Sequence, residues 1–266
     1  MTRARARWAA ALGLLLVINT LSGDRLCWAA PATSSDTTVP PFAVVELFTS
    51  EGCASCPSAD WLLGRILAEA LRRHERLFPL AFHVDYWNSH GWTDPFSDPQ
   101  STRRQQAYAQ IFPARGVYTP QMVVNGTVEF VGSDWWKARA VLTKAMETPG
   151  RVAVTVHVKK LTAGAPLQIH YEIPAAPAGA VLHLALVERG LVQQVVRGEN
   201  AGRLLHHENV VRLFETVPLS KGGSGEVTLF VPAGVTLART AVIGYVQDPK
   251  TLVILGADGV DVVPAA

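Results

Sequence analysis

The chain has 266 residues, 48% hydrophobic and 17% charged, a globular balance long enough for one large or two modest domains. Its formal charge is +2, but Arg3, Arg5, Arg7 and Arg25 against the single acid Asp24 put +3 into residues 1–30 and leave −1 on the remainder. No basic face is left to argue for nucleic acid, and no second long apolar run argues for a membrane span.

The first element predicted is a secretory signal peptide over residues 1–30. Its basic start is followed by an apolar run across Ala9–Ile18 and by small-residue sites that place cleavage after Ala29 or Ala32. An uncleaved anchor is the competing reading, but the run falls short of the roughly 20 residues a bilayer core needs. The destination is the periplasm or the extracellular space. Cys27 leaves with the peptide; Leu26 before it does not suit a lipobox, which wants a small residue there. Two cysteines remain, Cys53 and Cys56, in a compartment where thiols meet oxidants.

Residues 31–41, "PATSSDTTVPP", read as a flexible polar leader. Val44, Val45, Leu47 and Phe48 make a short apolar run suited to a buried strand. After the cysteines, Leu62, Leu63, Ile66, Leu67, Ala70 and Leu71 recur at helical spacing. "LFPLAFHVDYW" is a second strand, "NSHGWTDPFSDP" a turn-rich loop and "QSTRRQQAYAQIF" a polar helix. "VYTPQMVVNGTVEFVG" holds two strands around the hairpin signal Asn125-Gly126. "SDWWKARAVLTKAME" is a helix capped by Ser133 or Asp134, with Trp136, Ala140, Val141 and Ala145 on one face. The order over 42–149 is β-α-β-α-β-β-α. From residue 150 the pattern changes to "RVAVTVHVK", "LQIHYEI", "AVLHLALVE", "EVTLFV" and "TAVIGYVQ", which predicts an all-β sandwich-like domain over 150–266.

Cys53 and Cys56 sit where a strand ends and a helix begins. Cysteines three apart in one turn can form a disulfide, and the first helical turn, with its unpaired N–H groups and positive dipole end, favours thiolate over thiol. Cys53 is the candidate nucleophile and Cys56 the resolving thiol; Pro57, lacking an N–H, fits the first helical turn. A fixed structural staple is the plain alternative, though so short a loop stabilises little. Structural zinc lacks a second ligand pair. No cofactor is needed for exchange, but two thiolates with His83 or His90 would suit Cu(I), which keeps copper delivery open as a second function. Glu46 reads either as a proton-shuttling carboxylate beneath the cysteines or as an ion-paired strand residue; Asp85 is a weaker candidate for the first role. "RGENAGRLLHHENVVR" (197–212) either lines a substrate groove through Arg197, Glu199, Asn200 and His206 or His207, or is a polar hairpin.

"VVELFTSEGCASCPSAD", "HVDYWNSHGWTDPF", "VYTPQMVVNG" and "RGENAGRLLHHENVVR" together resemble a secreted thioredoxin-like family catalogued as domain of unknown function 1223. The resemblance spans about 42–260. It implies an α/β thioredoxin-like domain followed by a β-rich one, and puts Cys53, Cys56 and Pro120 on redox positions. Thr119-Pro120 opens a strand where such domains carry a cis-proline beside the cysteine pair. It supplies no substrate. Gly52 replaces the aromatic residue that precedes the first cysteine in thioredoxins, and Pro57 the basic residue after the second, so redox poise does not carry over. The function expected is thiol–disulfide exchange with a protein or small-molecule thiol or disulfide. A non-catalytic binding module with a fixed disulfide is the third alternative.

Overall fold

The computed structural model describes residues 38–112, 116–160, 165–219 and 222–262; the expected signal peptide and most of the leader lie outside them. β1 (Ala43–Thr49) is buried along its whole length. Ala43, Val45 and Leu47 face one core and Val44 and Phe48 the other, which is why the run shows no polar alternation. α1 (Pro57–Arg73) opens on Pro57 and stops at His74, whose φ of 53° is left-handed. β2 (Leu77–His83) pairs parallel to β1. α2 (Pro99–Ile111) is capped by Asp98, which accepts from the Gln100 N–H at 2.7 Å. Polar as it reads, α2 buries Ser101, Gln105 and Tyr108.

β3 (Gln121–Val124) and β4 (Val128–Val131) form the expected hairpin, and β3 runs antiparallel to β1. Asn125 and Gly126 at its turn have φ of 50° and 65°. α3 (Trp135–Met146) is capped by Asp134 rather than Ser133, through the Lys137 N–H at 2.9 Å. Its inward face also differs from the expected one: Ala138, Val141, Leu142 and Ala145 pack on the core, whereas Ala140 and Trp136 are exposed. Those four follow the i, i+3, i+4, i+7 helical stripe; Trp136 is an apolar residue outside it.

The second half supplies β5 (Thr155–Lys160), β6 (Leu167–Ile173), β7 (Val181–Glu188), β8 (Leu191–Gln194), β9 (Leu204–His207), β10 (Val210–Pro218), β11 (Gly223–Leu229), β12 (Thr240–Gln247) and β13 (Ile254–Asp261). The architecture is mixed α/β. An eight-stranded mixed sheet has the order β13-β12-β7-β10-β2-β1-β3-β4, with a three-stranded antiparallel sheet β11-β6-β5 and a hairpin β8-β9 besides. The three-stranded sheet packs Val156, Leu167, Ile169 and Leu229 on Leu182, Leu184, Val242 and Val246 of the large sheet, a sandwich-like layering. The large sheet nevertheless continues across residue 150, and from Thr38 on the chain is one compact unit.

The join is short. β10 meets β2 at Val210 opposite Ala81, where the Ala81 N–H donates to the Asn209 carbonyl at 2.9 Å. Two residues earlier stands Pro79, which has no N–H to offer β10; its carbonyl accepts from the Asn209 side-chain amide at 2.8 Å instead. One face of the sheet carries a core common to both halves, including Phe48, Phe82, Phe214 and Tyr245. The opposite face is divided between α1 with α3 and the three-stranded sheet.

Candidate functional site

β1 ends at Thr49, and the next seven residues turn the chain into α1. The Cys53 N–H donates to the Ser50 carbonyl at 3.2 Å and the Cys56 N–H to the Cys53 carbonyl at 3.2 Å, winding the turn that brings the cysteines together. Cys53 and Cys56 are joined in a disulfide with their Cα atoms 5.4 Å apart. Cys56 is the N-cap of α1 and Pro57 its first residue. Both cysteines are buried, at 1% and 0% exposure, beneath exposed Ala54 and Ser55.

The Thr119-Pro120 bond is cis. Pro120 and Ala59, in the first turn of α1, both border Gly132, where an added Cβ would lie 3.3 Å from the Pro120 Cβ and 3.2 Å from the Ala59 Cβ. Trp87 ties this corner together. Its Nε1 donates to Thr119 Oγ1 at 2.7 Å, and its own Cβ lies 3.1 Å from where a side chain on Gly52 would begin. A larger residue before Cys53 would therefore have to displace Trp87.

Beside the disulfide turn lies a buried cluster of titratable groups drawn from distant parts of the chain. His83, at the end of β2, donates through Nδ1 to Asp94 Oδ2 at 2.7 Å, and the same oxygen accepts from the Glu51 N–H at 2.9 Å. Glu51 accepts from Trp92 Nε1 at 2.8 Å and pairs with His207 Nε2 at 3.1 Å. His207 Nδ1 stands 3.8 Å from Asp60 Oδ2, and the two imidazole rings cross edge to face at 4.9 Å. Asp60 is one helical turn after Cys56, to whose carbonyl its N–H donates at 3.1 Å. Thr49 Oγ1, both Asp60 oxygens, His83 Nε2 and His207 Nδ1 are buried without a hydrogen-bond partner. Unsatisfied buried polar atoms are few in folded proteins, and here five of the seven among the described residues gather at one place.

The charges follow from this packing. Burial pushes the Asp60 carboxyl above the usual carboxylate range, against the pull of His207 and His83. Burial opposes an imidazolium at His83, but Asp94 beside it outweighs that and raises its pKa. Asp94, though buried, is held below the ordinary range by His83 and by the backbone N–H groups of Glu51 and Phe96. Asp60, Glu51, Asp94 and Trp92 were not among the residues singled out from sequence. Asp60 had a signal: it shares the apolar face of α1 with Ala59, Leu63 and Leu67, all buried.

Of the residues anticipated in 197–212, three reach the cysteine turn. Glu199 Oε2 accepts from the Ala54 N–H at 3.0 Å. Asn200 Nδ2 donates to the Glu51 and Cys53 carbonyls at 2.8 and 3.0 Å. His207 joins the buried cluster, whereas Arg197 and His206 are exposed. Glu46 is placed elsewhere. It lies on the sheet face opposite α1, its carboxylate held by Arg104 Nε at 2.6 Å, by Tyr245 Oη at 2.8 Å and by Tyr108. Asp85 accepts from Thr102 Oγ1 and from no cysteine.

Of the copper candidates, Cys53 and Cys56 are joined to each other, His83 is engaged by Asp94, and His90 is exposed against Trp87 at 4.9 Å. Among the described residues no group of three or more His, Cys, Asp or Glu side chains is arranged to hold a metal ion.

The fold and site define an α/β protein with a C-x-x-C disulfide at a helix N-terminus. The chain belongs to the family described as a protein of unknown function, DUF1223, whose profile matches residues 44–247. Among solved structures it is similar to an Agrobacterium tumefaciens protein determined by X-ray crystallography, with 28% identity and a TM-score of 0.63 over 85% of this chain and 97% of that one. It shares a fold with HBP35 of Porphyromonas gingivalis, at 16% identity and a TM-score of 0.61 over 85% of this chain and 76% of that one. No curated protein matches the sequence. Among the described residues no helix is long and apolar enough to cross a membrane.

Proposed function

We propose that the chain is a periplasmic or secreted thiol–disulfide oxidoreductase whose first half is thioredoxin-like. The observation that carries this reading is the C-x-x-C pair at the N-terminus of α1, with a buried carboxyl, Asp60, one helical turn further on and two buried imidazoles clustered with that carboxyl. The strand order β2-β1-β3-β4 and the cis-proline that opens β3 support the thioredoxin-like part.

In the reduced protein, Cys53 as thiolate attacks one sulfur of a partner disulfide. A mixed disulfide forms and the partner's other sulfur leaves as thiolate. Cys56 then loses its proton to the Asp60–His207 cluster and attacks the Cys53 sulfur. The second partner thiolate leaves and the Cys53–Cys56 disulfide closes. Two electrons pass to the partner, which becomes a dithiol. With Cys53 only 1% exposed, the cover over the turn must yield before in-line attack. The cis-proline corner, with Thr119 held by Trp87, orients the partner's chain.

A Cys56→Ser variant tests the reading, since it stalls the exchange at the mixed disulfide. A covalent adduct from an envelope extract, released by dithiothreitol, is expected. No adduct, together with a reduction potential below about −300 mV and no reactive thiolate, would leave a fixed structural disulfide. Cu(I) offered to the reduced protein tests delivery: tight binding lost on replacing His83 or His90 would replace exchange with copper carriage through Cys53 and Cys56.

A further inference from the structure

The second half of the chain sends one loop onto the cysteine turn, and its carboxylate lands where it opposes a thiolate. Residues 195–203 form a closed tip: the Val195 N–H donates to the Arg203 carbonyl at 3.0 Å, and the Gly202 N–H to the Val195 carbonyl at 2.9 Å. Buried Asn200 fastens this tip to the Glu51 and Cys53 carbonyls, and Arg203 Nη1 holds the Asn200 oxygen at 3.0 Å. So anchored, Glu199 Oε2 takes the Ala54 N–H, the amide immediately after Cys53.

A C-x-x-C thiolate is stabilised by amides at the helix start and destabilised by negative charge beside it. Glu199 does both unfavourable things at once: it occupies the turn amide that follows Cys53 and brings a carboxylate next to that cysteine. The other charged groups around the turn are the buried Glu51, Asp60 and His207 and the exposed Arg197 and Arg203. Destabilising the thiolate favours the disulfide, so the dithiol gives up its electrons more readily.

We propose that Glu199 tunes the redox pair, biasing it toward the disulfide and so making the chain a reductant of partner disulfides. This rests on the oxidoreductase reading. The cycle balances by two exchanges: the protein dithiol reduces a partner disulfide to a dithiol, and a separate dithiol donor, itself oxidised to a disulfide, regenerates the protein. Glu199 acts on Cys53 through charge and one amide, as a positioning residue that need not touch the partner.

The test is Glu199→Gln in the full chain, which keeps an acceptor for the Ala54 N–H and removes the charge. The readouts are Cys53 thiolate absorbance against pH and the equilibrium with dithiothreitol. Thiolate at a fixed pH below the Cys53 pKa is expected to rise about three- to tenfold. At a pH above the Cys53 pKa, where the reduced protein carries the thiolate, the equilibrium should move by a similar factor toward the reduced protein, tenfold corresponding to about 30 mV. In 1 M salt, where the Debye length falls from about 10 Å to about 3 Å, the gap between variant and parent should shrink, as a purely structural effect would not. Glu199→Asp, which keeps the charge, should stay closer to the parent. A parent that exchanges with dithiothreitol while Glu199→Gln leaves both readouts unmoved overturns this inference alone. A parent whose cysteines do not exchange at all overturns the oxidoreductase reading, and this inference with it.

Discussion

Asp60 is buried with neither carboxylate oxygen hydrogen-bonded and with its pKa raised, first by burial. A raised carboxyl pKa means the folded state holds a proton that the unfolded chain has released, so Asp60 costs stability as pH climbs above about 4. Asp60→Asn should therefore melt higher than the parent at pH 7, by about 1–3 kcal/mol in stability, with the gap closing at pH 4. Thermal melts at the two pH values check this. If Asp60 takes the Cys56 proton, the same variant should slow resolution of a mixed disulfide at least tenfold and leave Cys53 attack nearly unchanged. Stopped-flow single turnover with a chromogenic disulfide separates the two steps. A gain in stability with a loss of rate would mark Asp60 as a residue kept for chemistry.

At the scale of elements, His183 on β7 ties together three strands of the second half. Its Nδ1 meets Thr216 of β10 at 2.9 Å and its Nε2 meets Gln247 of β12 at 3.0 Å, while its ring stacks on Phe214 at 4.9 Å. Burial and then the nearby Arg104 drive its pKa down to about 3. The unfolded chain protonates this imidazole near pH 6.5 and the folded one does not, so its contribution is intact above that pH and is lost as pH falls toward 3. The slope is at most about 1.4 kcal/mol per pH unit. Urea unfolding at pH 7, 5.5 and 4.5 should show this loss in the parent and less of it in His183→Gln. Asn209 is the comparable residue at the β2–β10 seam, where it serves the Pro79 carbonyl from a backbone φ of 48°. Asn209→Ala leaves that carbonyl unpaired and puts an alanine in left-handed backbone, an expected loss of about 2–4 kcal/mol read from the urea midpoint.

For the whole molecule, the eight-stranded sheet makes the two halves of the sequence one structural unit. Phe82 of β2 packs on Phe214 of β10 with ring centroids 5.3 Å apart, and Tyr245 of β12 bonds Glu46 of β1. A fragment of residues 42–149 would expose that shared face and lack Asn200 and His207. It is expected to show no cooperative thermal transition by circular dichroism, whereas the full chain melts cooperatively. A cooperatively folding fragment would make residue 150 a division between independent domains.

Much of the first half was legible because its signals are local. The apolar run of β1, the stripe of α1, the Asn125-Gly126 turn and the C-x-x-C spacing each depend on residues within a turn or two of one another. Glu46 shows the limit of such signals: an acid in a buried strand implied a partner, but not that Arg104 and Tyr245 would hold it on the face opposite α1. The 197–212 stretch was visible as unusually polar, and only its contacts put Glu199, Asn200 and His207 against the cysteine turn and its cluster.

By itself, the sequence determined the buried run of β1, the hairpin turned at Asn125-Gly126, where α1 begins and that one cysteine pair stands at its start, because hydrophobic period and turn chemistry act over a few residues. Tertiary structure alone decided that Glu199, Asn200 and His207 meet that pair, and that Asp60, His83 and Asp94 are buried beside it. Those contacts cross as many as 156 positions of chain, as Glu51 to His207 does. Over that span, proximity is set by how the sheet closes between β2 and β10, and no short-range pattern records it.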